Sequence, residues 1–216
     1  GGWISHVFQY VTGSLKDVTF EVYALEDVKS ADGESEDYYK KDELVATITT
    51  DDTGIAKISG LPLGKYYVKE KATVDGFVLD DEAREIDLTY RDQDTAEVTY
   101  SADWQNNRQK AEVEVVKKEK DSDRVLEGAV FALCAKEDIT GTDGKVILKA
   151  DTVIEELATD KEGKLTFKAD LPIGFAYYIK ETSPASGFAT TDETQEFKFE
   201  YGGAEKEKIS YDFSGI

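Results

Sequence analysis

Apolar and polar residues alternate in short runs along this chain. DVTFEVYAL (17–25), KYYVKEK (65–71), AEVEVVKK (111–118) and TQEFKFEY (194–201) each place their apolar side chains at every second position. That period of two predicts half-buried β-strands. Tyr, Phe, Val, Ile and Thr fill the runs, as suits a pleated surface. Gly- and Asp-rich segments, DDTG (51–54), DKEG (160–163) and GTDGK (141–145), separate them and predict turns. No stretch shows a sustained helical period with caps, although ADTVIEELATD (150–160) has room for one short helical turn. Several short strands per hundred or so residues predict an all-β fold of the β-sandwich type.

The pattern occurs twice. LKDVTFEVYALEDV (15–28) matches LEGAVFALCAKEDI (126–139) at an offset of 111, which pairs Leu15 with Leu126 and Phe20 with Phe131. Residues 49–77 match residues 158–188: Glu70 and Glu181 again lie 111 apart, and the intervening Gly54 and Gly163 lie 109 apart. Loop-length differences account for the slip. Two copies imply two tandem domains, expected at 1–108 and 109–216.

Charge narrows the range of functions. With 46 acidic against 26 basic residues the net charge is −20, a field that repels nucleic acid and anionic membrane. The single cysteine, Cys134, excludes an intrachain disulfide and reads as a packed or surface thiol. A metal site is hard to build from one His and one Cys, and DITGTDGK (138–145) lacks the ligand spacing of a calcium loop. No phosphate loop, nucleophile elbow or dinucleotide fingerprint is present, so neither a cofactor nor a turnover enzyme is expected. The chain opens on Gly-Gly and has no Met, signal peptide or apolar span, and it reads as an excised fragment.

LEGAVFAL (126–133), LPIGFAYYIKETSPASGF (171–188) and KYYVKEKATVDGF (65–77) resemble the CnaB family. These are the immunoglobulin-like B-type repeats of collagen adhesins and of pilins assembled by sortases in Gram-positive bacteria. The resemblance implies two tandem Ig-like β-sandwiches in a secreted, cell-wall-attached stalk or pilin, with neighbouring domains or subunits as partners. It also implies an intramolecular isopeptide bond. A first-strand Lys attacks the side-chain carbonyl of an Asn or Asp on the last strand, and a Glu on a middle strand assists.

Carried onto this sequence, the nucleophile is Lys117, which shares a strand face with Val113 and Val115. The assisting carboxyls are Glu181, in phase with Tyr177 and Ile179, and Glu70, in phase with Tyr66 and Val68. Asn106 closes the apolar face of EVTYSADWQNNRQK (97–110) and is the acceptor of the first copy. Each copy lacks a part. The offset of 111 puts His6 in the lysine slot of the first copy, and the counterpart of Asn106 falls one position past Ile216. In KISYDFSGI (208–216) only Asp212 offers a carboxylate, on the face opposite Ile209, Tyr211 and Phe213, so its use requires a bulge. The second copy is then linked through Asp212, linked through a residue outside the sequence, or unlinked. An alternative reading, an adhesin that binds a host protein or glycan, draws on Trp3, Phe8 and Tyr10 as an aromatic surface.

Overall fold

The computed structural model describes residues 6, 8, 10, 15–30, 32–80, 82–89 and 106–214. Every regular element among them is a strand. The chain forms two compact units. One comprises Thr12–Arg108 with Gly203–Glu205; the other comprises Gln109–Gly202 and Lys206–Ile216 together with Gly1–Val11. Below, the first module is the unit built on Thr12–Arg108 and the second module the unit built on Gln109–Gly202.

In the first module, β1 (Thr19–Ala24), β2 (Leu44–Thr49), β3 (Lys65–Ala72) and β4 (Arg84–Asp87) form one antiparallel sheet in the order β2-β1-β3-β4. The alternation read from the sequence is the alternation observed. Phe20, Val22, Ala24, Tyr66 and Val68 are buried, while their neighbours along the strand are less so. With Val18 and Val28 they make the core of this module. The expected last strand, through Trp104, lies outside the described residues.

The second module has two sheets. The first repeats the order of the first module: β12 (Thr194–Lys198), β11 (Ala176–Ser183), β6 (Val130–Ala135) and β9 (Val153–Ala158). The second sets β5 (Lys110–Val116) between antiparallel β10 (Lys164–Thr166) and parallel β13 (Lys208–Ser214). Val113, Val115 and Leu165 from one sheet meet Phe131, Leu133, Ile154, Tyr177, Ile179 and Phe197 from the other in a single core. A small hairpin, β7 (Ile139–Thr140) with β8 (Val146–Leu148), carries the GTDGK turn.

ADTVIEELATD contains no helical turn; its centre is β9. The ladder to β6, which joins Val130 to Ala158 and Leu133 to Glu155, overrides the local pattern. Cys134 is a fully buried packed thiol. Strand β6 is covered on both faces, and Cys134 sits with Ala132, Tyr178 and Val153 on the face away from the main core. Burial there pushes its thiol pKa up.

The two copies also share fixings that no periodicity reveals. Thr50 Oγ1 donates to Leu15 O and accepts from Val18 N; Thr159 Oγ1 donates to Leu126 O and accepts from Ala129 N. Tyr67 donates to Asp42 and Tyr178 to Asp151, each at 3.0 Å, and both aspartates sit at positive φ. The buried Thr50 and Thr159 hydroxyls are thereby satisfied, as their desolvation requires.

Candidate functional site

Lys117 follows directly on β5. Its backbone N–H donates to Gly163 O and its carbonyl accepts from Leu126 N, so the residue is held on both sides. Gly163 permits this approach. Its φ is +76°, and a Cβ there would lie 2.7 Å from Lys117 O. The inward parity of Val113 and Val115 carries through, and the Lys117 side chain is 13% exposed.

Strand β11 brings Glu181 to it. Tyr177, Ile179 and Glu181 all face inward, at 0%, 1% and 5% exposure. Lys117 Nζ lies 3.2 Å from Glu181 Oε2. Neither carboxylate oxygen has a hydrogen-bond partner, because the ammonium approaches off the hydrogen-bonding direction. The contact is Coulombic, within an apolar core. An ion pair so desolvated contributes little net stability, but losing one member leaves a buried charge.

In the first module β3 places Glu70 equivalently, opposite Phe20 on β1 as Glu181 is opposite Phe131 on β6. Its partner is an amide. Asn106 Nδ2 donates to Glu70 Oε1 at 2.7 Å and to Val78 O at 3.0 Å. A backbone carbonyl only accepts, so the Val78 contact fixes the nitrogen side of the amide toward the carboxyl. Glu70 Oε2 has no hydrogen-bond partner. Burial raises the Glu70 pKa, the bond from Asn106 counteracts in part, and the charge of Asp80 raises it further.

The structure brings together Lys117 with Glu181, and Glu70 with Asn106. Two further residues lie apart from these pairs. Asp212 is exposed on β13, opposite Glu114 of β5, while Tyr211 and Phe213 alternate with it toward the core. The β5–β13 ladder runs without a bulge through this position, so nothing re-aims Asp212 toward Lys117. His6 does not occupy a lysine slot in the first module. Its N–H donates to Ile154 O at 2.7 Å, in the second.

Sequence reasoning missed a third buried carboxylate. Glu155 is 4% exposed, and its Oε1 accepts from Lys168 N at 2.8 Å and Ala169 N at 3.0 Å. It ties the chain after β10 to β9. The residue in its place in the first copy is Ala46, opposite Val22 as Glu155 is opposite Leu133. No group of metal-ligating side chains occurs among the described residues. No helix among them is long and apolar enough to cross a membrane.

Tandem all-β units with this strand order, each with a carboxyl buried at the same place, define a duplicated structural domain. The family model of the SpaA prealbumin-like fold domain matches residues 9–104 and again 111–212, and the chain belongs to that family. The family is structural and not enzymatic. Among solved structures the chain is similar to the Bacillus anthracis TIE protein, at 26% identity and a TM-score of 0.54 over 98% of this chain. It spans 33% of that protein's length. It is also similar to the shaft pilin SpaA of Lactobacillus rhamnosus GG, at 20% identity and a TM-score of 0.34 over 98% of this chain and 94% of that one. The minor pilin GBS52 of Streptococcus agalactiae aligns at 17% identity and a TM-score of 0.30, over 99% and 95% of the two chains. No curated protein matches the chain.

Proposed function

We propose that this chain is a load-bearing segment of a Gram-positive cell-surface stalk or pilus, cell-wall-attached and joined to neighbouring domains or subunits of the same assembly. The observation that carries the reading is the desolvated contact of Lys117 with Glu181, inside a fold of the SpaA family. A buried lysine is costly unless it is paired or linked. Proton transfer to Glu181 leaves a neutral amine, the nucleophilic form.

The bond this chemistry serves is an amide. Lys117 Nζ attacks the side-chain carbonyl carbon of an acceptor, and the new C–N bond replaces a C–N bond with loss of ammonia (Asn) or a C–O bond with loss of water (Asp). The protonated Glu stabilises the developing oxyanion and passes its proton to the leaving group. Glu70 and Asn106 carry the complementary half, carboxyl and acceptor. A tie between first and last strands puts pulling force across a covalent bond. By analogy with a disulfide it would stabilise a module by about 2–5 kcal/mol.

Intact mass spectrometry of the purified chain tests this. A species lighter by one ammonia or one water would show that Lys117 has an acceptor in this chain, and Glu181→Ala should then restore full mass. Unmodified mass in the parent protein would remove the covalent part and leave a non-covalent stalk.

No observation favours the adhesin alternative. Phe8 is buried, and the hydroxyl of Tyr10 donates to Asp170 O; Trp3 lies outside the described residues.

A further inference from the structure

We propose that His6, Phe8 and Tyr10 anchor the N-terminal segment to the second module as a clasp at its β9 edge, and do not serve the strand-to-turn role in the first copy that the repeat assigns. At the offset of 111, His6-Val7-Phe8-Gln9-Tyr10 aligns with Lys117-Lys118-Glu119-Lys120-Asp121. In the second copy those residues leave β5 and enter a polar turn. Asp121 sits at a φ of 58°, Glu119 N donates to Arg124 O, and residues 120–125 are exposed. Such a turn has no use for His, Phe and Tyr at alternate positions. The first copy has nonetheless replaced a charged segment with one of strand pattern.

The His6 backbone and the Phe8 and Tyr10 side chains meet the second module. Strand β9 is an edge of its sheet, paired on one side with β6, and an edge strand presents backbone groups ready for another strand. Ile154 on β9 accepts the His6 N–H at 2.7 Å. Phe8 is 8% exposed and belongs to the core that holds Val113, Phe131 and Ile154. His6 packs edge-on against the Phe8 ring, 4.7 Å between centroids, and Tyr10 reaches the Asp170 carbonyl. A backbone bond to an edge strand, with Phe8 seated in the core beside it, is the anchoring that strand addition uses.

The occupant is this chain's own segment. Residues through Val11 belong to the second module, the first module begins at Thr12, and the chain returns at Gln109. That return point is fixed. Gln109 is fully buried, its Nε2 donates to Lys206 O, and its Oε1 accepts from Gly202 N.

Amide exchange on the full chain tests the clasp, whether or not an isopeptide bond forms. The His6 amide should be protected, and Phe8→Asp should abolish that protection and speed exchange in β9 and residues 165–171. β1 and β3 should be unchanged. The milder Tyr10→Phe, which keeps the ring, should raise exchange at 6–10 by about threefold to tenfold. Exchange of His6 at the free-chain rate in the unmodified protein would overturn the proposal. So would Phe8→Asp loosening β1 and β3 instead, or a dimer in which protection comes from a second copy.

Discussion

The two copies make the same turn and then part. Asp51 Oδ1 accepts from Thr53 N and Ile55 N; Asp160 Oδ1 accepts from Glu162 N and Lys164 N. Gly54 and Gly163 follow at φ values of 78° and 76°. After the turn the second copy runs into β10 and buries Leu165 and Phe167, each 5% exposed. The first copy continues as IAKI, which forms no strand, with Ile55 at 48% and Ile58 at 40% exposure. Two features separate them. β10 has β5 as a ladder partner, whereas the first copy's opening residues cluster with the second module. Glu155 then pins the second copy's chain beyond β10, where the first has Ala46. A turn closed by local bonds forms wherever its residues occur, while an alternating run becomes a strand only beside another strand.

The largest expected effect breaks the second module at its buried pair. Lys117→Met should destabilise that module by about 3–5 kcal/mol, because the buried Glu181 carboxyl loses its partner. Lys117→Met with Glu181→Leu should recover most of the loss. Urea unfolding, with exchange of β6 amides to mark the second module, reads both; a double variant as unstable as the single would contradict the ion-pair account.

Next comes the Glu155 tie. Glu155→Ala leaves the Lys168 and Ala169 amides without their acceptor, at about 1–3 kcal/mol for each group that stays buried. Glu155→Gln retains an acceptor oxygen and should restore most of it. Exchange at residues 165–169 should then rise in the Ala variant toward the level of 55–60 in the first copy. If the Ala variant leaves those amides protected, the difference between the copies lies in the ladder alone.

The smallest effect concerns pH and the first module. The Glu70 pKa is raised above its ordinary 4.5, so the folded module binds this proton more tightly than the unfolded chain does. Its contribution to stability is greatest below pH 4.5 and declines as pH rises from there through the folded value. Glu70→Gln should remove that decline from the pH profile of first-module unfolding. An unaltered profile would show that other groups set it.

Much of this was legible in the chain. The repeat, the strand parity and the inward aim of Lys117, Glu181 and Glu70 follow from a period of two, which backbone geometry enforces. The outward aim of Asp212 was legible for the same reason, and the unbroken β5–β13 ladder gives no bulge to reverse it. Glu155 was not legible, because an acidic residue in an alternating run reads as solvated until two amides from another strand's end are found above it. Nor was the burial of Gln109, whose partners lie 93 and 97 residues away.

What the sequence determined by itself is what short-range bonding settles: the Asx turns at Asp51 and Asp160, the left-handed glycines after them, and which side chains share a face. Tertiary structure decided which alternating runs became strands and which copy received the N-terminal segment. HVFQY carries an aromatic strand pattern but no address. Only the edge of β9, with the Ile154 carbonyl and a core seat for Phe8, supplies one, because pairing and burial are long-range terms that local residues cannot encode.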